Sequence, residues 1–192
     1  MALMSSMVRS KWVFHDFCYN FLMKTILYMA MSLDGYIAND INETPWSDEE
    51  WESYKKIVAQ CKNLIIGRKT YELMKKSNEF EKINNPLTII VTSDKNLKDD
   101  SSRFIFVDSP QHARKVLQEK GFTIALVGGG QELNTAFLKE ELLDEMYLDI
   151  EPFIFGSGIS LFSKESIKHK LILLGINKYN QNSLQLHYKI EA

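Results

Sequence analysis

The sequence has little of several features that mark particular classes of protein. It contains two cysteines, Cys18 and Cys61, too few for the disulfide framework of a small secreted domain, and no Cys or His pair has zinc-site spacing. Lysine and arginine number 23 against 25 acidic residues, so no basic excess attracts a nucleic acid. No apolar run approaches the roughly 20 residues of a membrane-spanning helix. We therefore expect a cytoplasmic protein that contains no metal. We also expect it to bind neither nucleic acid nor membrane.

The length of 192 residues fits one domain, and 45% hydrophobic with 25% charged residues is typical of a globular chain. The first part of the sequence lacks a regular apolar pattern, whereas Met23-Lys24 opens an apolar run, as a start before a first strand would. We expect residues 1–22 to be an N-terminal extension outside the core. Residues 23–192 are expected to form a single domain.

Short apolar segments alternate with amphipathic helical patterns from Met23 onward. Two of the helices have start signals, because Ser47 and Glu50 have capping-box spacing and Ser109-Pro110 opens another helical pattern. The alternation predicts an α/β fold of three layers, with a mostly parallel central sheet covered by helices on both faces. The predicted strands are residues 25–31, 63–67, 86–92, 103–107 and 122–128.

The last third of the chain changes period. Residues 144–155, 169–180 and 183–192 alternate apolar and polar side chains, which predicts antiparallel strands added to one edge of the sheet. An exposed strand edge with an apolar run favours self-association. We therefore expect a homodimer.

Three glycines, Gly128, Gly129 and Gly130, stand between a predicted strand and a helical pattern. Glycines at such a junction let backbone N–H groups and the positive end of a helix approach a phosphate. A tight turn is an equally good interpretation. The dinucleotide-binding fingerprint is incomplete, because its third glycine falls on Leu133, and a Rossmann domain is disfavoured.

A second candidate phosphate site follows strand 63–67. Arg68, Lys69 and Thr70 bring a guanidinium, an ammonium and a hydroxyl to a predicted helix start, although a solvated basic pair is the alternative. Thr92 and Ser93 add two hydroxyls after the next strand. Ligands collect outside the carboxyl ends of strands in open α/β sheets, so the sequence predicts one phosphate-binding edge.

Large aromatics and acids surround the first long helix. Glu50 and Glu52 point in different directions as near neighbours on a helix, so no paired-carboxylate device is visible. Asp34-Gly35 is a turn signal. The aromatic side chains are expected either to pack in the core or to line a pocket for a flat, ring-shaped ligand. They are Trp46, Trp51 and Tyr54.

Six segments taken together resemble the dihydrofolate-reductase-like superfamily, in the branch that contains the reductase domain of bacterial riboflavin biosynthesis. The resemblance implies NADPH as cofactor on a mostly parallel sheet and reduction of a small heterocyclic or carbonyl substrate. The segments are AMSLDGYIA (30–38), LIIGRKTYE (64–72), IIVTSD (89–94), LVGGGQEL (126–133), LLDEMYLDIEPFIFGSG (142–158) and ISLF (159–162).

The resemblance also implies roles for individual residues. It implies a cis peptide bond at Gly128-Gly129. The adenosine 2′-phosphate is expected on Arg68, Lys69, Thr70 and Ser93, and the pyrophosphate on Gly128, Gly129, Gly130 and Gln131. The nicotinamide is expected near Ala30, Ile37 and Trp46. Gly67, Thr92, Val127 and Leu133 complete the expected cofactor-binding set.

Two departures from the superfamily pattern bear on the substrate. The carboxylate that assists pterin protonation falls on Trp51 when counted back from Gly67, and the substrate-binding Glu of the riboflavin enzyme falls on Gly128. Neither folate nor the riboflavin intermediate is therefore expected. The candidate proton donors are Asp34, Glu50 or a bound water, and the expected substrate pocket is Asp34, Trp46, Trp51 and Tyr54. The alternative to a reductase is a non-catalytic nucleotide-binding or dimeric regulatory module that retains the cofactor cradle.

Overall fold

The computed structural model describes residues 23–191, so the expected extension, residues 1–22, lies outside the described residues. The strands are β1 (Lys24–Ser32), β2 (Tyr36–Ala38), β3 (Asn63–Gly67), β4 (Leu87–Val91), β5 (Phe104–Val107), β6 (Ile124–Val127), β7 (Glu145–Glu151), β8 (Ile159–Ser160), β9 (Leu171–Lys178) and β10 (Leu184–Ile190). The helices are α1 (Asp48–Cys61), α2 (Arg68–Lys76), α3 (Glu79–Lys82), α4 (Pro110–Glu119) and α5 (Gln131–Lys139). In this part of the chain no helix is both long and apolar enough to cross a membrane.

Eight strands form one sheet in the order β5-β4-β3-β6-β1-β7-β10-β9. Every neighbouring pair is parallel except the two that involve β10. The predicted three-layer α/β fold with a mostly parallel sheet and antiparallel C-terminal pairing is confirmed. One detail differs, because β7 pairs parallel with β1: the chain crosses over through α5 before it enters β7. β2 and β8, which the sequence did not indicate, form a separate two-stranded sheet.

Helices cover both faces of the sheet, as predicted. Alternate side chains of β3 enter two different cores, since Ile65 packs with Phe137 of α5 on one face. Leu64 and Ile66 pack with Val58 of α1 on the other face. All five side chains are fully buried or nearly so, and truncating one of them to alanine would cost about 2–5 kcal/mol.

Four of the helix starts, those of α1, α2, α4 and α5, fall into two kinds. Ser47 accepts a hydrogen bond from Glu50 N at 3.2 Å and Ser109 one from His112 N at 3.4 Å, as their positions predicted. Helices α2 and α5 instead begin at glycines, and neither Gly67 nor Gly130 offers a side-chain cap. The first N–H groups of these two helices therefore lack the partner that a capping side chain supplies.

Candidate functional site

The glycine loop, Gly128–Gly130, occupies a gap in the sheet. β6 ends at Val127, opposite Leu27, whereas β1 continues for five more residues. The loop prolongs the ladder with β3, because Gly128 N donates to Ile65 O and Gly67 N donates to Gly129 O, both at 2.9 Å. The prediction of a cis peptide bond at Gly128-Gly129 was wrong by one residue. The cis bond lies at Gly129-Gly130. The first glycine peptide still belongs to the extended ladder, which explains the difference.

The two glycine-capped helix starts lie side by side at this edge. A Cβ atom on Gly130 would lie 3.4 Å from Thr70 Oγ1 of α2, and one on Gly67 would lie 4.0 Å from Gly130 N. The absence of a Cβ atom at both glycines leaves the backbones of the two helix starts close together. Backbone N–H groups and the positive ends of two helix dipoles therefore meet around one small space, an arrangement suited to an anion. These residues fit the diphosphate of a dinucleotide.

The loop is closely supported from below. Gly129 has a φ of +91°, and a Cβ atom there would lie 2.8 Å from Met29 Sδ. The fully buried Asn134, which the sequence did not single out, donates from Nδ2 to Leu161 O at 3.0 Å, and its Oδ1 has no partner among the described residues. Gln131 Nε2 donates to Ser160 Oγ at 2.5 Å, so its side chain ties α5 to β8. Nothing in its sequence position distinguished Asn134 from an ordinary helix residue.

The residues expected at the 2′-phosphate lie at the same edge. Val91 is in register with Gly67, so Thr92 and Ser93 follow the strand next to Arg68. Arg68 Nη1 donates to Glu72 Oε1 at 2.7 Å, and its side chain is 42% exposed. Lys69 and Ser93 are exposed, and Thr92 Oγ1 accepts from Asp94 N at 3.0 Å. A bound phosphate would have to compete with Glu72 for Arg68. Val127 and Leu133, from the same expected set, are buried core residues beneath this edge.

A buried acid cluster, formed by Tyr28, Glu50 and Asp149, lies on the α1 face of the sheet. The Tyr28 hydroxyl donates to Asp149 Oδ2 and lies 3.3 Å from Glu50 Oε1. Gln185 Nε2 donates to Asp149 Oδ1 at 2.7 Å. A phenol has one proton and cannot donate to both carboxylates at once. When Glu50 is protonated, its own carboxyl can donate to the Tyr28 oxygen, and the three groups form one chain.

Burial determines the protonation of this cluster. Glu50 is 6% exposed and Asp149 is fully buried, and no described salt bridge reaches either of them. Desolvation, with the Asp149 charge added, raises the pKa of Glu50 to about 8. Burial also raises the pKa values of Asp149 and Tyr28. Glu50 therefore holds a proton at neutral pH, as a proton donor must.

This cluster was missed at the sequence level, where no acid pair was visible. Glu50 meets Asp149, not Glu52, through the Tyr28 hydroxyl on the α1 face. Glu50 is one residue before Trp51, the position at which the superfamily pattern would place the acid. The capping-box prediction was half right, because Ser47 N donates to Glu151 Oε2 at 2.9 Å and the Glu50 side chain turns inward. One signal was available. The acidic residues of β7 all lie on one face of the strand, and the predicted helix layer covers that face.

The other candidate proton donor, Asp34, has a different environment. Its carboxylate accepts hydrogen bonds from Ser32 Oγ at 2.6 Å, Phe155 N at 3.1 Å and Gly156 N at 2.7 Å. The Ser32 bond first, then the backbone donors, lower the pKa of Asp34. An ionised carboxylate that accepts bonds from the 155–156 loop fixes that loop to β1. The geometry therefore favours Glu50 over Asp34 as the donor.

The aromatics expected to line one substrate pocket form two groups. Trp46 stacks on Phe155 with ring centroids 5.7 Å apart, beside the Asp34 loop. Trp51 and Tyr54 contact each other at 5.6 Å, and Tyr54 stacks on Tyr28 of the acid cluster at 5.7 Å. Tyr54 thus contacts the acid cluster directly, and Trp51 is connected to it through Tyr54. Burial raises the pKa of Tyr54, which keeps its phenol neutral.

The residues expected near the nicotinamide link the two halves of the site. Ala30 and Ile37 are buried, and Ala30 is directly opposite Asp149 in the β1–β7 ladder. The acid cluster is therefore one strand from the edge that carries the glycine loop. Two helix starts whose geometry suits an anion and a buried carboxyl with a raised pKa are thus brought together across β1.

A mostly parallel eight-stranded sheet with a glycine loop between two glycine-capped helices defines a domain of the dihydrofolate-reductase-like fold. The model of the RibD C-terminal domain family matches residues 23–184. The chain belongs to this family.

Known proteins similar to this chain agree with that assignment. The uncharacterized protein YwjB of Bacillus subtilis is 34% identical over 170 residues, which cover 86% of this chain and 97% of that protein. The RibD structure of Acinetobacter baumannii has a TM-score of 0.73 at 16% identity, covering 90% of this chain and 59% of that one. The riboflavin biosynthesis reductase Rib7 of Saccharomyces cerevisiae has a TM-score of 0.66 at 13% identity, covering 89% and 91%. At these identities the two structures share the fold with this chain.

Proposed function

We propose that the protein is an NADPH-dependent reductase that transfers hydride to a small heterocyclic or carbonyl substrate. One observation carries this proposal. Two glycine-capped helix starts meet around the glycine loop, and a protonated carboxyl lies one strand away. The first arrangement suits a diphosphate and the second suits protonation of a reduced substrate. Rib7 of Saccharomyces cerevisiae, whose fold this chain shares, is a riboflavin biosynthesis reductase, which is consistent with this class.

The cofactor would be held along the edge where β3, β4 and β6 end. The N–H groups at the starts of α2 and α5 would bind the pyrophosphate, and Arg68, Lys69, Thr70 and Ser93 the 2′-phosphate. Bound NADPH supplies the hydride. The nicotinamide would lie near Ala30 and Ile37, where the buried surroundings exclude water.

Glu50 would give the proton that accompanies hydride transfer. Its carboxyl is protonated at neutral pH and lies 3.3 Å from the Tyr28 oxygen. After the transfer, the Tyr28 hydroxyl can donate to the ionised Glu50, which takes its next proton from solvent. Trp51 and Tyr54 would border the substrate on the side of α1. Asp34 would hold the 155–156 loop in place rather than donate a proton.

The acid cluster favours an enzyme over a non-catalytic nucleotide-binding module. Burying two carboxyl groups without a cation costs free energy, and a module that only holds a nucleotide gains nothing from it. Costly buried polar groups with shifted pKa values concentrate at catalytic sites.

The test is NADPH oxidation measured at 340 nm with a panel of carbonyl, pterin and nitro-aromatic compounds. Steady, substrate-dependent loss of NADPH supports the reductase. Tight NADPH binding with no turnover on any compound supports the module. No binding of NADPH at millimolar concentration refutes both.

We also propose that the protein is a homodimer formed through β9. This strand is at the sheet edge and exposes apolar side chains on both of its faces, among them Ile172, Leu174 and Ile176 at 42%, 48% and 63%. A monomer that left such a strand open would risk uncontrolled pairing. A second copy, related by a twofold axis, would cover it.

A further inference from the structure

The β2–β8 ribbon, formed by Tyr36–Ala38 and Ile159–Ser160, is separate from the eight-stranded sheet. Strands of three and two residues form too few hydrogen bonds for such a pair to be stable alone. The order of the ribbon therefore depends on its contacts with neighbouring elements. Because the ribbon carries Ile37, which is expected near the nicotinamide, those contacts bear on the proposed site.

Two adjacent buried residues of α5 hold the chain directly after β8. Asn134 Nδ2 donates to Leu161 O at 3.0 Å, and Thr135 Oγ1 accepts from Ser163 N at 2.8 Å. The same helix begins at Gly130 and supplies N–H groups that we propose bind the pyrophosphate. The proposed anion site and one anchor of the ribbon therefore belong to the same short helix.

Asn134 also contacts the underside of the glycine loop. Its side chain is fully buried, and a Cβ atom on Gly129 would lie 3.8 Å from its Oδ1. On the opposite side Nδ2 holds Leu161 O, while Leu161 N donates to Gly35 O at 3.1 Å in the turn before β2. A continuous path of contacts thus runs from Gly129 through Asn134 and Leu161 to β2.

An amide at position 134 is not needed for packing α5 in the core. The Oδ1 atom of Asn134 has no hydrogen-bond partner among residues 23–191, and burying an amide oxygen in this state costs free energy. The neighbouring buried positions of the helix are apolar, among them Leu133, Phe137 and Leu138. What the amide adds, and an apolar side chain would not, is the hydrogen bond from beneath the loop to the ribbon.

We infer that Asn134 is a positioning residue that couples the glycine loop to the β2–β8 ribbon. A diphosphate bound at the helix starts would restrict the loop, and Asn134 would pass that restriction to Leu161 and so to Ile37. Coupling between two sites is reciprocal, so an ordered ribbon would also tighten diphosphate binding. The inference rests on the proposed function, since it requires a diphosphate at the glycine loop.

The test is hydrogen–deuterium exchange of the full chain with 2′-phospho-ADP-ribose, which has the diphosphate and the 2′-phosphate of NADPH but no nicotinamide. Because this compound has no nicotinamide to place against β2, slower exchange in the ribbon would have to come through the protein. In the wild type it should slow exchange by about threefold or more in residues 127–131, and also in residues 35–38 and 159–162.

Two variants distinguish coupling from a purely structural role. Asn134→Ala should keep the slower exchange in the glycine loop and lose it in the ribbon. Thr135→Val is the matched control, because it removes the neighbouring hydrogen bond between α5 and Ser163 but leaves the path through Leu161 intact. It should keep both responses. If both variants lose the response of the ribbon to the same extent, the inference is overturned.

The wild-type measurement decides the inference even if Asn134→Ala does not fold. Slower exchange in the glycine loop with no change in the ribbon overturns the coupling and leaves the proposed cofactor site in place. No change in either segment, with NADPH tested in parallel, refutes the cofactor site and the coupling together.

Discussion

The Tyr28 hydroxyl and the Glu50 carboxyl lie 3.3 Å apart in a buried part of the molecule, although one belongs to a strand and the other to the first turn of a helix. Asp149, on the neighbouring strand, accepts the phenol proton. No salt bridge within residues 23–191 reaches Glu50 or Asp149, and the group keeps one proton on Glu50 at neutral pH. The proposed chemistry of the protein depends on that proton.

Glu50→Gln should lower kcat for NADPH-dependent reduction by about 10²- to 10⁴-fold, because an amide cannot donate the proton. In the wild type, kcat/KM should fall as the pH rises through about 8, where Glu50 ionises. The variant should lose that limb of the profile. Glu52→Gln, an exposed change two residues away, serves as the control and should keep both rate and profile. If the pH profile of kcat/KM were unchanged in Glu50→Gln, Glu50 would not be the proton donor.

The same group makes stability depend on pH. The pKa of Glu50 is about 8 in the folded protein and about 4.3 in an unfolded chain, so the unfolded chain binds fewer protons between these values. The contribution of Glu50 to the free energy of unfolding should therefore be highest below pH 4.3 and should decline as the pH rises toward 8. Urea unfolding of wild type and Glu50→Gln at pH 6, 7 and 8 checks this. The variant should gain stability relative to wild type as the pH increases, and a constant difference would contradict the assignment.

Arg68→Ala should weaken NADPH by about 1.5–3 kcal/mol, the value of a charge-assisted hydrogen bond, and leave NADH almost unchanged. Calorimetry with both cofactors measures this difference. Glu72→Ala is the companion variant, because it removes the carboxylate that Arg68 now contacts at 2.7 Å. That change should leave NADPH binding equal or tighter. Equal losses for NADPH and NADH in Arg68→Ala would contradict a 2′-phosphate site.

Gly129→Ala should destabilise the fold by about 2–4 kcal/mol, since alanine is strained at a φ of +91° and its Cβ would lie 2.8 Å from Met29 Sδ. Gly121→Ala isolates the backbone contribution. Gly121 has a φ of +81° with no atom within 4 Å of the added Cβ, so the cost should be about 1 kcal/mol. Denaturant midpoints measure both variants. Equal costs would mean that Met29 does not support the glycine loop.

Leu174→Glu should convert a dimer into a monomer, because it places a charge among the exposed apolar side chains of the edge strand β9. Sedimentation velocity distinguishes the two states. Asn177→Glu adds the same charge to an exposed polar position of β9 and should leave the dimer intact. A wild type that sediments as a monomer at all concentrations would refute the proposed interface.

The larger part of the fold followed from local patterns. The apolar runs of β1, β3, β4, β5 and β6 and the caps of α1 and α4 are short-range signals that the sheet and helix layers reinforce. β2 and β8 gave no signal because three and two residues are too few to show an alternating pattern, and α3 gave none because its four residues make a single helical turn. The direction of β7 was not predictable from its alternation, since alternation also suits a parallel strand with one polar face.

The site was only partly predictable for a similar reason. The glycine loop and the Gly67-Arg68 helix start are contiguous in sequence, so local chemistry indicated them. The acid cluster depends on Tyr28 and Asp149, which are 121 positions apart and meet only through strand register. The cis bond was misplaced by one residue because the length of the β6 ladder is a tertiary property.

Calorimetric titration of the wild-type protein with NADPH and with NADH tests the central claim most directly. The edge formed by the glycine loop and the starts of α2 and α5 should bind one NADPH per chain, more tightly than NADH. No heat with either cofactor at millimolar concentration, or equal affinity for both, would contradict the account.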